Sequence, residues 1–211
     1  MGNITALRLN SRKKQVDVFI DGLYSFTLTD ELAVNNHLQI GRELSEKQIE
    51  ELREADLFHT CMDAAVHYLG YRPRSEKEVR QRLRRRQFDR SAIEEVILKL
   101  KAKHLIDDAA FSEYWRDNRL SFSPRSARLV KVELRQKGVA AETADEIVKD
   151  VDDEKSAYEA GLKKARRLVA LQYQDFHNSL YEYLRRRGFN HEVISLSIQR
   201  LWQEKESGSF Q

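Results

Sequence analysis

Side chains that could carry out acid–base, nucleophilic or metal chemistry are scattered along this chain. The six histidines are isolated from one another, and no pair has the spacing of a metal site. Two acidic clusters, Asp107-Asp108 and Asp152-Asp153-Glu154, precede predicted helices, where carboxylates stabilise the helix N-terminus. The chain has no glycine-rich phosphate loop and no nucleophile motif. The sequence therefore predicts no catalytic residue, no metal site and no cofactor.

The single cysteine excludes an intrachain disulfide framework. Cys61 stands among apolar residues on a predicted helix, which favours a buried structural thiol over a reactive one. No apolar run is long enough to cross a bilayer, and residues 1–4 do not resemble the start of a secretory leader. We therefore expect a cytoplasmic protein with no membrane partner.

Basic side chains are the strongest functional candidates, and they are unevenly distributed. Residues 1–57 contain 7 Lys/Arg and 10 Asp/Glu, a net charge of −3, whereas residues 58–211 contain 30 and 24, a net charge of +6. Residues 72–90 alone contain nine Lys/Arg and three acids. A basic surface of this kind attracts phosphates or an acidic protein groove.

Three consecutive arginines, Arg84, Arg85 and Arg86, lack an acidic residue four positions before them, so no helical ion pair neutralises them. We predict that they are exposed and that basic residues recur at the matching places further along the chain. The residues predicted to bind a filament or DNA are Arg72, Arg74, Arg80, Arg82, Arg84, Arg85, Arg86, Arg125, Arg128, Lys131, Arg135, Lys137, Arg185, Arg186 and Arg187. The alternative is a solvated charged face without a partner.

These basic residues lie on a unit that occurs three times. Leu83-Arg84-Arg85-Arg86-Gln87-Phe88 returns as Leu134-Arg135-Gln136-Lys137-Gly138-Val139 and as Leu184-Arg185-Arg186-Arg187-Gly188-Phe189, at offsets of 51 and 50 residues. Each copy is followed by an apolar ladder: Ile93, Ile97 and Leu100, then Ala144, Val148 and Val151, then Ile194, Ile198 and Leu201. Repeats of this length indicate stacked supersecondary units with a shared core. Such proteins usually bind large partners.

Helix caps and apolar spacing divide each copy into three helices. The predicted organisation has a first repeat at 56–106, a second at 107–151, a third at 152–206 and a frayed tail at 207–211. We predict a mainly α protein, with nine helices from residue 56 onward in an extended array. We expect it to be a monomer.

Residues 1–55 differ from the repeats. Alternating apolar residues between 4 and 29, with Asp21-Gly22 as a type I′ hairpin turn, predict a three-stranded antiparallel meander. Ser45-Glu46-Lys47-Gln48 matches a capping box and predicts a helix that follows. This N-terminal module is either an accessory binding module or a cap on one end of the array.

The repeat residues also resemble a known family. The segments Pro73–Leu83, Leu105–Phe111 and Leu134–Val139, taken together, are similar to the RecX family, and the similarity covers essentially the whole chain. The resemblance implies tandem three-helix units that bind along the groove of the RecA–DNA filament. It also implies inhibition of strand exchange and of the associated ATP hydrolysis, without an activity of the protein's own.

Two functional hypotheses therefore stand beside each other. The first is a protein-binding regulator of the RecA filament. The second is a helical nucleic-acid-binding module that uses the same arginines on the phosphates of single- or double-stranded DNA. Phosphate binding alone weakens steeply with rising salt, whereas docking into a protein groove also uses contacts that survive salt.

Overall fold

The computed structural model describes residues 1–208 of the 211-residue chain. They form two compact units, which are described separately. The first unit contains 1–72 and 79–105, and the second contains 73–78 and 106 onward. The described residues contain ten helices and four strands, joined by turns and loops.

A small antiparallel sheet opens the first unit. Its strands are β1 (Gly2–Asn10), β2 (Gln15–Ile20), β3 (Leu23–Thr29) and β4 (Glu43–Leu44), in the spatial order β3-β2-β1-β4. Asp21 and Gly22 both have positive φ, at 48° and 83°, as the predicted type I′ turn requires. The meander is confirmed, but β4 adds a fourth strand by pairing with the start of β1. A two-residue strand is too short to show alternation, so the sequence pattern missed it.

The helices that begin in residues 30–102 are α1 (Asp30–Asn35), α2 (Glu46–Leu69), α3 (Glu76–Arg85) and α4 (Arg90–Ala102). The Ser45 hydroxyl and the Gln48 side chain form the predicted reciprocal capping box. We expected one helix to end and another to begin near residue 56, which is wrong because α2 runs through that point. The segment 46–69 contains neither glycine nor proline, so nothing interrupts the helix.

Six further helices make up most of the second unit. They are α5 (Asp108–Phe122), α6 (Ala127–Gln136), α7 (Ala141–Val148), α8 (Asp153–Ala165), α9 (Tyr173–Arg185) and α10 (His191–Glu206). Counted with α2, nine helices occupy residues 56–208, and this described stretch contains no strand, as predicted. Ser207 and Gly208 form a turn after α10, and the rest of the predicted frayed tail, 209–211, lies outside the described residues.

Equivalent leucines anchor the three predicted repeats. Leu83, Leu134 and Leu184 are fully buried, which confirms the predicted burial of all three. The apolar ladder that follows each of them is buried as well, with only Val151 partly exposed. In each repeat, the helix that follows the leucine packs against the first helix of that repeat: α4 against α2, α7 against α5 and α10 against α8.

Two joints of the same design occur within the second unit. In the first joint, the Ser75 hydroxyl donates a hydrogen bond to the Lys137 carbonyl oxygen (2.7 Å), and the Glu76 N–H donates to an Asp108 carboxylate oxygen (2.9 Å). In the second joint, the Ser126 N–H donates to the Arg187 carbonyl oxygen (3.1 Å). There the Ala127 N–H donates to the Asp153 carboxylate (2.7 Å). Each joint thus ties a helix N-terminus to a loop and a carboxylate from further along the chain.

Glycines allow the loops of these joints to approach closely. Gly138 and Gly188 have φ of +92° and +88°, a region that favours glycine. A Cβ atom on Gly138 would lie 2.8 Å from Lys77 Cβ, and one on Gly188 would lie 2.6 Å from the Ser126 hydroxyl oxygen. The repeated glycine therefore reflects the repeated joint.

Candidate partner-binding site

The C-terminal end of α3 carries a cluster of exposed arginines. Val79 and Leu83 are buried on one face of this helix, whereas Arg84 and Arg85 at its end and Arg86 in the following turn are exposed. None of the three guanidinium groups forms an ion pair or a side-chain hydrogen bond within residues 1–208. The predicted exposure is confirmed. We call these three residues the first arginine cluster.

The other predicted residues of the first repeat are more constrained. The Arg80 guanidinium forms an ion pair with Glu94 at 2.7 Å. Arg82 is exposed, and its guanidinium lies 5.6 Å from the centre of the Tyr68 ring. Arg72 and Arg74 are partly buried. Each of these four side chains is partly buried or contacts another side chain, unlike those of the first arginine cluster.

In the second repeat, Arg125 belongs to a buried charge cluster. The Glu133 carboxylate is largely buried and forms an ion pair with Arg125. It also accepts hydrogen bonds from Arg119 (2.7 Å) and from the Trp115 indole (2.8 Å). Burial, with repulsion from Arg119 and Arg187, lowers the pKa of Arg125 below its usual value. Arg125 therefore stabilises the fold of this repeat.

Three more predicted residues of the second repeat lie on α6. Lys131 forms an ion pair with Asp145 on α7. The Arg135 guanidinium donates to the Val139 carbonyl oxygen at 2.9 Å, so it folds back onto its own loop. Arg128 is exposed and has no side-chain partner in the described part of the chain. Of these three residues, Arg128 has the greatest freedom to meet a partner.

Lys137 and Arg187, at equivalent positions of the second and third repeats, contribute to the two joints. Lys137 forms an ion pair of 2.6 Å with Glu78, and its ammonium group lies 4.9 Å from the centre of the Trp115 ring. Arg187 donates hydrogen bonds to the Ser123 hydroxyl (3.0 Å) and the Pro124 carbonyl (2.9 Å). Both side chains hold separate segments of the second unit together.

The remaining basic residues of the third repeat are on the surface. Arg185 forms an ion pair with Glu182 at 2.8 Å, and this contact lowers the pKa of the Glu182 carboxyl. Arg186 is exposed beside that pair. Alignment of the basic clusters of all three repeats on one surface stays a prediction.

Sequence reasoning missed several residues that shape these surfaces. Arg119 and Glu133 complete the buried cluster around Arg125. Arg90, at the start of α4, lines a cavity with Arg84 and Phe88. Arg90 was counted in the basic segment 72–90, but it was not separated from its neighbours. The loop before Arg90 lacks the glycine found in the two later loops, and this difference was visible in the sequence.

The structure also bears on the chemistry considered for the isolated polar residues. No group of three metal-ligating side chains comes together within residues 1–208. Burial raises the pKa of the Cys61 thiol to about 11, which favours the protonated form, as expected of a structural thiol. Asp107 and Asp152 accept hydrogen bonds from the first turns of α5 and α8, as predicted for helix caps.

Within residues 1–208, each helix is too short or too polar to span a bilayer.

Family models match both of the first two repeats. The model described as RecX, first three-helix domain, matches residues 61–100, and the model described as RecX, second three-helix domain, matches residues 107–147. These matches cover α3 to α7 and most of the α2 segment that lies in the first repeat.

Relatives named Regulatory protein RecX extend the similarity along the chain. The one from Lactobacillus gasseri is 29% identical over 207 residues, which are 96% of this chain and 76% of the relative. The one from Clostridium beijerinckii is 28% identical over 95% of this chain and 96% of its own length. A Listeria monocytogenes relative is 30% identical over 152 residues, so the match spans 72% of this chain and about half, 56%, of that relative.

Two solved structures share the fold. A crystal structure of regulatory protein RecX has a TM-score of 0.65 at 24% identity, over 93% of this chain and 98% of that chain. The crystal structure of RecX from Lactobacillus salivarius has a TM-score of 0.58 at 28% identity, over 70% of this chain and 97% of that chain. With two matching three-helix domains, relatives along nearly the whole chain and the same fold, this protein belongs to the RecX family.

Proposed function

We propose that this protein binds the RecA recombinase filament and lowers both its DNA-dependent ATPase and its strand exchange, without catalysing a reaction itself. Membership of a family of regulatory proteins supports the choice of partner. The observation that carries the proposal is the first arginine cluster, where Arg84, Arg85 and Arg86 are exposed and have no partner within residues 1–208. Exposed cations that the fold does not use are available to an anionic partner.

The filament suits such a surface because it repeats along its length and contains DNA. Several basic sites in series can contact a repeating partner at several places, and weak contacts linked in this way gain avidity. Arg128 and Arg186 are exposed basic residues of the second and third repeats and are the candidates for further contacts. We propose that the protein acts in the cytoplasm as a monomer.

The direct test is RecA ATPase activity on single-stranded DNA with increasing amounts of this protein. We expect the activity to fall, and we expect Arg84→Ala/Arg85→Ala/Arg86→Ala to require more protein for the same inhibition. Arg12→Ala/Lys13→Ala is the control, since both side chains are exposed at the β1–β2 turn and neither is a predicted site residue. An intact protein without effect on RecA ATPase contradicts the proposal.

Cosedimentation separates the filament hypothesis from simple DNA binding. RecA filaments and naked single-stranded DNA are each sedimented with the protein at low and at high salt. Binding to the filament that persists at high salt, where binding to naked DNA is lost, supports docking on protein. Equal salt sensitivity of both favours the nucleic-acid module instead.

Multivalent binding requires a test that preserves the fold. Deletion of residues 153–211 would remove Asp153 and Arg187, which bond to the N-terminus of α6. Arg185→Ala/Arg186→Ala changes only exposed side chains of the third repeat. We expect this variant to weaken inhibition without abolishing binding, and inhibition equal to that of the unmodified protein would contradict a contribution from these two residues.

A further inference from the structure

A cavity of about 300 Å³ lies beside the first arginine cluster. It is formed by the end of α3, the loop that follows and the first turns of α4. Its lining residues are Arg84, Phe88, Arg90, Ile93 and Glu94. All of them belong to the first compact unit. The cavity therefore combines two guanidinium groups with an apolar surface from Phe88 and Ile93.

The charge of this cavity favours an anion. Arg84 and Arg90 are exposed, and neither forms a side-chain ion pair with any residue described by the structure. The one carboxylate in the lining, Glu94, is compensated because it accepts a hydrogen bond from Arg80 at 2.7 Å. Arg90 is also the first residue of α4, where the helix dipole adds positive potential. Two guanidinium forks around one space suit a phosphate oxygen pair.

The equivalent places in the other repeats lack this combination. In the second repeat, Arg135 bonds to the Val139 carbonyl oxygen, and Ala141 stands where the first repeat has Arg90. In the third repeat, Arg185 is paired with Glu182, and His191 takes the place of Arg90 beside the Tyr181 hydroxyl. Among the three equivalent places, the first repeat alone has two arginines without an intramolecular partner in residues 1–208.

We propose that the cavity lined by Arg84, Phe88 and Arg90 binds a phosphodiester group of a nucleic-acid strand. The two arginines hold the phosphate oxygens, and Phe88 contacts the attached sugar or base. A polymer fits better than a small phosphate compound, because Arg85 and Arg86 are free beside the cavity and can meet neighbouring phosphates. Aromatic and basic residues in combination are typical of contacts with single strands. The proposal needs DNA alone and does not depend on RecA.

The test is fluorescence anisotropy of a labelled oligothymidylate of about 40 nucleotides, long enough for several contacts, without RecA. We expect Arg84→Ala/Arg90→Ala to weaken binding by about tenfold and to reduce the slope of log affinity against log salt by about 1. Arg12→Ala/Lys13→Ala, which removes the same charge from the same compact unit, should weaken binding by less than about twofold. An equal loss in this control would overturn the proposal.

Two further variants test the geometry of the site. Arg84→Lys/Arg90→Lys keeps the charge but loses the planar forks, so we expect a partial loss of affinity. Binding as tight as that of the unmodified protein would show that charge alone is sensed and would refute the cavity as the binding element. Arg135→Ala/Arg185→Ala removes the equivalent arginines, and a loss as large as that of Arg84→Ala/Arg90→Ala would refute the first repeat as the specific site.

Competition distinguishes a strand from a free anion. Inorganic phosphate at millimolar concentration should displace the oligonucleotide only slightly more than chloride of the same ionic strength. Tight binding of phosphate itself, with unchanged oligonucleotide affinity in Arg84→Ala/Arg90→Ala, would identify a small-anion site and overturn the nucleic-acid assignment. Loss of oligonucleotide binding in Arg90→Ala, which leaves the first arginine cluster intact, with RecA inhibition retained would support the cavity and separate it from filament docking.

Discussion

The loop after α3 and its two later copies carry a basic residue at the same position, but the three residues have different roles. Arg86 is exposed and has no side-chain partner in the described chain. Lys137 pairs with Glu78, and Arg187 bonds to Ser123 and Pro124. The position before the next apolar residue differs too, since Gln87 stands where Gly138 and Gly188 occur. The later loops dock onto helix N-termini, whereas Arg86 of the first loop forms no side-chain hydrogen bond or ion pair within residues 1–208.

This difference shows that a recurring basic residue is not by itself a binding residue. The charge recurs at these positions, but a cation can either attract an external anion or bond to an acceptor within the fold. Accordingly, the equivalent core residues should respond alike to mutation, whereas the loop residues should respond differently.

The largest effects are expected in the core, where the copies are equal. Leu83→Ala, Leu134→Ala and Leu184→Ala should each lower the free energy of unfolding by about 2–5 kcal/mol, because all three side chains are fully buried. Urea denaturation followed by circular dichroism measures the change. A loss under about 0.5 kcal/mol at one leucine would show that its repeat is not built like the others.

The buried charge cluster should come next. Glu133→Ala removes the acceptor of Arg119, Arg125 and the Trp115 indole, and it should destabilise the protein by about 3 kcal/mol. Glu182→Ala is the matched control, because its ion pair with Arg185 is exposed and its loss should leave the urea midpoint unchanged. Similar midpoints for the two variants would mean that the Glu133 cluster contributes little.

The glycine positions separate the first loop from the later two. Gly188→Ala should cost about 2 kcal/mol, since alanine is strained at φ +88° and its Cβ would press on the Ser126 hydroxyl. Gln87 already has a Cβ atom at φ 64° and is exposed, so Gln87→Ala should have little effect on the melting temperature. An equal cost at residue 87 would show that the first loop is as constrained as the third.

The sequence was sufficient to predict the repeats and their cores, because helical periodicity places Leu83, Leu134 and Leu184 beside local apolar partners. It also predicted the exposure of the first arginine cluster from the missing acids one helical turn before it. The joints could not be predicted, because their partners are far apart in sequence: Ser75 and Lys137 are separated by 62 residues, and Ser123 and Arg187 by 64. The local sequence signal for the joints was the glycine at 138 and 188, where the first loop has glutamine at 87.

The cavity was missed for a related reason. Arg84 and Arg90 lie on consecutive helices, and whether their side chains line one cavity depends on the loop between them, where Gln87 has a φ of 64°. The charge count for residues 72–90 included both arginines but did not distinguish them from their neighbours. Arg125 was likewise assigned to a binding surface, although Glu133, eight residues further along, engages it.

The smallest expected effect tests the comparison most directly. Lys137→Met keeps the apolar part of the side chain but leaves the largely buried Glu78 carboxylate without its ammonium partner, so it should cost about 1 kcal/mol. Arg86→Met makes the same kind of change on the first loop, where the guanidinium has no partner among the described residues, and the urea midpoint should not move. In binding assays the order should reverse, with Arg86→Met weakening the interaction with the filament or DNA more than Lys137→Met. Both measurements are needed, because loss of a structural cation lowers stability, whereas loss of a binding cation weakens the interaction with the partner. If Lys137→Met left stability unchanged and weakened binding as much as Arg86→Met, the second loop would also be a binding surface, and the contrast between the first loop and its copies would not hold.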